Sequence, residues 1–261
     1  MAKKNYVEKP FSCVRDSLTI RGMLFEPLEG KVNAEGKLPV AIVSHMFMVN
    51  YKAVVKYARF LAEQGYLSVC YDFNGGGLFS KSDGKTTDMS AITEVADLEA
   101  VIDAMLKHEK ADASRLMLMG CSQGGFVSAL VAARHPEMVE KLVLFYPALS
   151  IPDDARKGEM LMAKFDPKNI PAVFRCGFMK LGRQYVTDVN EMDAFQVISA
   201  YEGPVLLLHG TKDTAVDVSN SVKAAEYYKN VQLELIPKAG HGFFGKKSKL
   251  ALELLKEFVN K

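Results

Sequence analysis

The chain has 261 residues, of which 49% are hydrophobic and 25% charged, which is enough apolar material for a single α/β domain over residues 1–261. Its net charge of +2, from 33 basic and 31 acidic residues, argues against nucleic-acid and membrane partners and favours a small-molecule substrate. No segment resembles a signal peptide or a membrane span, so we expect a cytoplasmic protein. No cysteine spacing resembles a metal site, and we expect neither a metal nor a cofactor. A homodimer is compatible with this composition.

The predicted elements begin with two alternating segments, FSCVRD and LTIRGMLFEP, which we interpret as an antiparallel hairpin at one sheet edge. Buried strands then alternate with helical patterns, which predicts parallel strands joined by crossover helices. The later strands are LPVAIVSH, YLSVCYDF, RLMLMGC, VEKLVLFYPAL, PVLLLHG and VQLELIP. The helices are YKAVVKYARFLAEQG, SAITEVADLEAVIDAMLKHE, QGGFVSALVAARHP, VSNSVKAAEYYKN and KSKLALELLKEFVNK. In the second helix, Ser90 is the expected N-cap and Glu94 an acidic first-turn residue favoured by the helix dipole.

The alternation is interrupted between residues 150 and 200, where prolines are frequent and no long periodic segment occurs. We interpret this stretch as a small lid inserted over one end of the sheet. The predicted fold class is therefore α/β, with a mostly parallel sheet of about eight strands and helices on both faces. In such sheets the chemistry lies beyond the carboxyl ends of the strands, so the residues that follow each strand are the candidates for a functional site.

A Gly-x-Ser-x-Gly pattern, from Gly120 to Gly124, follows the strand LMLM and precedes a helix. In this context of strand, sharp turn and helix, the pattern is typical of a nucleophilic serine, with glycines where strand and helix approach each other. Ser122 also lies at a helix N-terminus, where backbone amides favour developing negative charge. The context therefore favours Ser122 as a nucleophile over a chance match to a common pattern.

A serine nucleophile requires a base and an acid, and both follow later strands in the order serine, acid, histidine. Asp213 follows LLLHG, and His241 lies in a glycine-flanked loop after the last strand. Asp217 is the alternative acid, although its position at a helix start suits a capping role. The remaining histidines end helices or strands and are expected to be solvated or structural: His45, His108, His135 and His209.

Several motifs, in order along the chain, are similar to those of one enzyme family. They are SHMF, YDFNGGG, SDGKTTDMS, GCSQGG, PDDARKG, HGTKD and AGHGF. The chain resembles the α/β-hydrolase superfamily and, within it, the bacterial feruloyl (cinnamoyl) esterases over nearly its whole length. The resemblance implies a catalytic triad of Ser122, Asp213 and His241, and an oxyanion hole formed by the amides of Phe47 and Gln123. It also implies a lid whose inner face holds an aromatic acyl group.

One position departs from the pattern of that family. Met46 stands where the family has glycine, directly before the expected oxyanion donor. Met46 either impairs the oxyanion hole, which would cost about 2.7 to 4 kcal/mol of transition-state stabilisation, or adopts an allowed conformation and reshapes the acyl pocket. We favour the second interpretation. Tyr185, Asp153 and Asp154, as polar groups of the lid, are the candidates for contacting a phenolic hydroxyl of the substrate.

The sequence therefore predicts a serine carboxylesterase that hydrolyses small, hydroxycinnamoyl-type esters through an acyl-enzyme intermediate. Two alternatives stay open. One is an acylglycerol lipase or a peptidase of the same fold. The other is a non-catalytic protein that binds an aromatic acid and whose oxyanion hole is impaired by Met46.

Overall fold

Strands and helices alternate along the computed structural model, which describes residues 4–261, so the first three residues of the predicted domain lie outside the described residues. The strands are, in chain order, β1 (Tyr6–Arg15), β2 (Leu18–Pro27), β3 (Leu38–Ser44), β4 (Leu67–Tyr71), β5 (Ala111–Cys121), β6 (Val139–Phe145), β7 (Glu159–Met160), β8 (Ala163–Lys164), β9 (Val173–Cys176), β10 (Met179–Gly182), β11 (Val205–Gly210) and β12 (Val231–Ile236). The α-helices are α1 (Val55–Glu63), α2 (Ala91–Leu106), α3 (Gln123–Arg134), α4 (Ile151–Lys157), α5 (Gln184–Thr187), α6 (Ala194–Ile198), α7 (Ser219–Tyr227) and α8 (Gly245–Val259). None of the helices within residues 4–261 combines the length and the apolar character needed to cross a membrane.

Eight of these strands form one sheet, in the order β1-β2-β4-β3-β5-β6-β11-β12. The pairs β1-β2 and β2-β4 are antiparallel, and every pair from β4 to β12 is parallel. The predicted α/β fold class, with a hairpin at one edge of a mostly parallel sheet, is confirmed. Because the parallel strands run in one direction, the ends of β3, β5, β6, β11 and β12 meet along a single edge of the sheet.

Apolar side chains fill both faces of this sheet. β3 and β4 are buried along their whole length, because each lies between two strands and under helices on both sides. The face that α2, α3 and α7 cover contains Val95 and Phe126, and the face that α1 and α8 cover contains Tyr57 and Leu255. Close packing on both faces holds the strand ends in fixed relative positions, as a site assembled from several strands requires.

The start of α2 follows the prediction at its cap and in its first turn. The Ser90 hydroxyl accepts a hydrogen bond from the Thr93 amide, and the Thr93 hydroxyl accepts one from the Ser90 amide. Glu94 is the acidic residue of the first turn, as expected. It is only 1% exposed, because it lies on the side of α2 that packs against α3.

Residues 150–200, called the inserted segment below, form short elements although their sequence shows no long period. α4 is followed by two small antiparallel hairpins, β7-β8 and β9-β10, and then by α5 and α6. The second hairpin contacts the loop between β4 and α2, where the Thr86 hydroxyl donates to the Lys180 carbonyl at 2.6 Å. Each of these elements is too short for a hydrophobic period to reveal it in the sequence.

Candidate active site

The turn between β5 and α3 holds Ser122 in a strained backbone conformation, with φ +53° and ψ −119°. The glycines around it are required by close backbone contacts. A Cβ atom at Gly120 would collide with the Gly124 carbonyl, and one at Gly124 would collide with the His45 carbonyl. The Ser122 amide donates to the Phe145 carbonyl at 2.9 Å, which ties the turn to the end of β6.

Three side chains from separate strand ends form one hydrogen-bonded chain at this edge of the sheet. Ser122 Oγ lies 2.9 Å from His241 Nε2, and His241 Nδ1 lies 2.7 Å from Asp213 Oδ2. With a neutral imidazole, the serine hydroxyl donates to Nε2 and the Nδ1–H donates to the carboxylate. Asp217, the alternative acid, instead accepts a hydrogen bond from the Ser219 amide at 2.8 Å, at the start of α7. The structure therefore brings together the serine, the acid and the histidine that motif order predicts.

Asp213 is buried and surrounded by hydrogen-bond donors. Its Oδ1 accepts from the amides of Ala215 at 2.9 Å and Val216 at 3.0 Å. Its Oδ2 lies 3.2 Å from His209 Nε2, in addition to the contact with His241. Burial by itself raises the pKa of Asp213, but the hydrogen bonds from both histidines and both amides outweigh it, and the pKa lies well below its ordinary value. Asp213 is therefore ionised at neutral pH, as a group that orients an imidazole must be.

Two residues beside this chain are not identified by sequence reasoning. His209 lies at the end of β11 and contacts Asp213. The spacing of these two residues within HGTKD is the one sequence signal that could have indicated the contact. Tyr146 follows β6 with φ +40°, and its ring packs edge-on against that of His241, with centroids 4.8 Å apart. No sequence period predicts either contact, because the first is made through the loop after β11 and the second joins the ends of β6 and β12.

Two backbone amides near Ser122 remain without an acceptor. Phe47 and Gln123 both line the cleft at Ser122, and within residues 4–261 neither amide donates to another described group. Gln123 is the first residue of α3, whose first amides have no intrahelical acceptor and whose dipole favours negative charge. The two amides predicted for the oxyanion hole are thus available to a ligand.

Met46 does not carry the backbone strain of the loop after β3. Met48 has φ +67°, whereas Met46 is not among the described non-glycine residues with positive φ. The Met46 side chain packs against the core beneath α1 and α8 and does not line the cleft. Its carbonyl accepts a hydrogen bond from His45 Nδ1 at 2.7 Å, and His45 Nε2 accepts one from the Phe73 amide at 3.2 Å. Burial lowers the pKa of His45, so this neutral ring holds the loop in place. Met46, which we expected beside the acyl pocket, is not among the residues that line the cleft.

The side chain of Gln123 connects the serine turn to the inserted segment. Its Nε2 donates to Glu94 Oε2 at 2.8 Å, and its Oε1 accepts a hydrogen bond from the Tyr185 hydroxyl. Desolvation raises the pKa of Glu94 well above its ordinary value, and the nearby Asp97 charge adds to the rise. This buried chain positions the Tyr185 hydroxyl in the wall of the cleft.

The cleft, with a volume of about 430 Å³ including its open mouth, lies between Ser122 and the inserted segment. Its walls are mostly apolar and are formed by Phe47, Ala148, Ile151, Met160, Leu161, Cys176, Ala215 and Val216. The polar side chains of the inserted segment that line it are Ser150, Asp154 and Tyr185. The Ser150 hydroxyl donates to Asp154 Oδ2 at 2.8 Å, and burial raises the pKa of Asp154. Apolar walls with a few polar groups suit a small ligand that is largely apolar.

Asp153 lies outside this cleft. Its carboxylate pairs with Arg156 and lines a separate cavity beside Lys223. Consecutive residues of a helix point in directions about 100° apart, so Asp153 and Asp154 of α4 do not face the same cavity. Of the three polar residues predicted to contact a phenolic group, the structure therefore places Asp154 and Tyr185 at the cleft and Asp153 elsewhere. Within residues 4–261, no cluster of three or more histidine, cysteine or carboxylate side chains is arranged to hold a metal ion.

The fold and the arrangement of this site define the class of protein. A serine turn after β5, an aspartate after β11 and a histidine after β12, on a mostly parallel sheet, are the features of an α/β-hydrolase. The model of one hydrolase family, Hydrolase_4, described as serine aminopeptidase, S33, matches residues 39–196. The chain belongs to this family and is a hydrolase.

The proteins to which the chain is similar include esterases, peptidases and lipases. The structure of Est1E from Butyrivibrio proteoclasticus with bound ferulic acid is 30% identical, with a TM-score of 0.85 over 95% of this chain and 97% of that chain. The acylamino-acid-releasing enzyme of Mus musculus is 26% identical over 163 residues, which are 57% of this chain and 20% of that protein. Monoacylglycerol lipase ABHD6 of Bos taurus is 20% identical over 86% of this chain and 76% of that protein. The chain thus spans about one fifth of the length of the curated acylamino-acid-releasing enzymes it matches.

Proposed function

We propose that the protein is a serine carboxylesterase that hydrolyses small, hydroxycinnamoyl-type esters through an acyl-enzyme intermediate. The observation that carries this proposal is the hydrogen-bonded chain Ser122–His241–Asp213 at a cleft with apolar walls and two unassigned backbone amides. The 30% identity to a protein whose structure holds ferulic acid supports the acyl part of the proposal. In this proposal the inserted segment is the lid that forms one wall of the acyl pocket.

The proposed reaction begins when His241 Nε2 accepts the Ser122 proton and Oγ attacks the ester carbonyl carbon. The carbonyl oxygen becomes an oxyanion, which accepts hydrogen bonds from the amides of Phe47 and Gln123. Asp213 stabilises the imidazolium that forms, and this imidazolium then protonates the departing alcohol. His241 then deprotonates a water molecule, which attacks the acyl-enzyme and forms a second oxyanion held by the same two amides. Collapse of this intermediate releases the acid, and Ser122 regains its proton from His241.

The polar groups of the cleft support an acyl group with a phenolic hydroxyl. The Tyr185 hydroxyl already donates to Gln123, so its oxygen is available as an acceptor. Ser150 donates to Oδ2 of Asp154, and no described group donates to Oδ1 of the same carboxyl. A phenol that donates to either oxygen would be oriented at the end of an apolar pocket, where an aromatic ring fits.

A peptidase is the second candidate, because the family description names a serine aminopeptidase and one curated relative is an acylamino-acid-releasing enzyme. A peptidase that reads a free amino terminus needs an ionised carboxylate in its pocket. Asp154 is the carboxyl group in the cleft, and burial raises its pKa, which favours a neutral partner such as a phenol over an ammonium group. The ester function therefore accounts better for the environment of Asp154.

The test is a comparison of covalent labelling with turnover. We expect a fluorophosphonate to label the protein once, at Ser122, and we expect turnover of both p-nitrophenyl acetate and methyl ferulate. An aminoacyl p-nitroanilide and a monoacylglycerol serve as the peptidase and lipase substrates, and should be turned over much more slowly. The Ser122→Ala variant is the matched control, and its rate should fall by about 10⁴-fold or more.

The outcomes separate the hypotheses. Absence of labelling would contradict the serine hydrolase and favour a protein that only binds an aromatic acid. Labelling with turnover of the acetate but not of methyl ferulate would contradict the hydroxycinnamoyl specificity. A higher kcat/KM for the anilide than for the ferulate would identify a peptidase.

A further inference from the structure

His209 is completely buried and its ring has a polar neighbour at each nitrogen. Nδ1 lies 2.6 Å from Ser221 Oγ. Nε2 lies 3.1 Å from the Val216 carbonyl oxygen and 3.2 Å from Asp213 Oδ2. His209 ends β11 and Ser221 belongs to α7, so the ring joins the strand, the helix and the loop that carries Asp213.

These neighbours constrain the protons of the ring. The Val216 carbonyl only accepts hydrogen bonds, so Nε2 carries a proton and donates to it. Asp213 Oδ2 lies 3.2 Å from the same nitrogen and also only accepts, so it shares this donor at the longer of the two distances. Nδ1 lies 2.6 Å from the Ser221 hydroxyl, which donates or accepts according to the tautomer. Asp213 Oδ2 thus lies beside an N–H of His209 as well as that of His241.

We propose that His209 is a positioning residue of the active site, whose Nε2–H holds the Asp213 carboxylate with Oδ2 directed at His241. The amides of Ala215 and Val216 hold only the other oxygen, Oδ1. The donor from His241 changes its charge during each catalytic cycle, whereas the proposed mechanism gives His209 no proton to take up or release. His209 thus keeps the carboxylate in one orientation while His241 gains and loses its proton, which preorganises the reacting groups.

This inference rests on the proposed function and adds a fourth side chain to it. The chain Ser221–His209–Asp213–His241–Ser122 is continuous, with each neighbouring pair within hydrogen-bond distance. A purely structural histidine would need no donor on the oxygen that also contacts the catalytic imidazole. The positioning role and a purely structural role can be separated by experiment because they depend on different nitrogens of the ring.

The test uses two amide substitutions of similar size and polarity. His209→Gln places an N–H near the position of Nε2, within reach of Asp213, whereas the shorter side chain of His209→Asn places it near Nδ1. We expect the Asn variant to lose about tenfold to a hundredfold in kcat for p-nitrophenyl acetate and in the rate of Ser122 labelling by a fluorophosphonate, with little change in KM. We expect the Gln variant to retain both rates within about threefold of the wild-type protein.

Ser221→Ala provides a second variant that leaves His209 in place. It removes the hydroxyl that contacts Nδ1 and helps to hold the ring in place, and we expect a smaller loss of labelling rate, about threefold. In proton NMR spectra, the strongly downfield proton shared by His241 and Asp213 should persist in the Gln variant and broaden or disappear in the Asn variant. This proton is observed without any substrate.

The possible results are distinct. If Gln and Asn lower the labelling rate equally, in step with a lower melting temperature, His209 has a structural role and the inference is overturned. If the Asn variant does not fold, an unchanged labelling rate in Ser221→Ala overturns it. If the wild-type protein is not labelled at all, the proposed esterase function fails first. If the wild-type protein is labelled but hydrolyses no ferulate, only the proposed specificity fails.

Discussion

The two walls of the cleft differ in how they are built. One wall consists of strand ends, where Ser122 and His241 follow β5 and β12 and Asp213 follows β11. The other wall is the inserted segment, where Asp154 and Tyr185 lie in helices of seven and four residues. The first wall is held by a sheet that is buried on both faces, and the second by contacts between individual side chains, such as Tyr185 to Gln123 and Ser150 to Asp154.

This difference teaches that chemistry and specificity have separate structural origins in this protein. The sheet brings its strand ends together whatever the inserted segment does, because parallel pairing fixes their order and direction. In the proposed esterase the inserted segment determines which acyl group fits, and it reaches the sheet through Gln123, the residue next to Ser122. We therefore expect substitutions in the first wall to affect every substrate and those in the second wall to affect only some.

The largest expected effect is that of Asp213→Asn. Asparagine cannot stabilise an imidazolium and favours the wrong tautomer of His241, so kcat should fall by about 10⁴-fold for every ester tested. Asp217→Asn is the matched control, because Asp217 lies four residues away and accepts a hydrogen bond from the Ser219 amide instead of contacting His241. Steady-state kinetics with p-nitrophenyl acetate measures both. Loss of activity in Asp217→Asn, with Asp213→Asn active, would mean that the acid is misassigned.

A smaller and substrate-dependent effect is expected for Asp154→Ala. Loss of an acceptor for the phenolic hydroxyl should lower kcat/KM for methyl ferulate by about tenfold. Methyl cinnamate, which lacks that hydroxyl, should be hydrolysed at nearly the wild-type rate. Asp153→Ala is the matched control on the same helix, since Asp153 pairs with Arg156 outside the cleft. An equal loss for both methyl esters would show that Asp154 supports the pocket without contacting the hydroxyl.

Glu94→Gln tests the buried chain Glu94–Gln123–Tyr185, which connects the two walls, through its effect on the melting temperature. Desolvation raises the pKa of Glu94, so the folded chain keeps this proton at pH values where the unfolded chain has lost it. The wild-type protein therefore loses stability as pH rises from the ordinary glutamate pKa through the raised one. Glutamine stays neutral, so the variant should match the wild type near pH 4 and melt higher by roughly 2–4 °C near pH 8. Melting curves that differ equally at both pH values would mean that Glu94 is ionised in the folded protein.

The smallest expected effect is that of Met46→Gly on catalysis. Met46 does not adopt a positive φ and its side chain packs away from the cleft, so glycine should change kcat/KM by less than about threefold. The melting temperature should fall, because a partly buried side chain that packs against the core is lost. A rise in kcat/KM near a hundredfold would reveal an oxyanion hole that Met46 impairs.

Periodicity and motif order were sufficient to predict the sheet, its edge hairpin and the three residues Ser122, Asp213 and His241. Strand ends and turn glycines are local features of the chain, and each has a steric or hydrogen-bonding reason that needs no knowledge of distant contacts. The acidic residue Glu94 shows the limit of this reasoning. Its position in the first turn of α2 indicates an acid favoured by the helix dipole, and only the packing of α2 on α3 shows that it is buried.

Other features depend on how whole elements pack against one another, and only the folded chain decides them. His209 contacts Asp213 and Ser221 because β11, its loop and α7 fold back on one another. Asp154 rather than Asp153 faces the cleft because of the rotation of α4 about its axis. Local sequence specifies which backbone geometry each segment adopts, whereas the direction of a side chain relative to a distant one follows from the packing of whole elements.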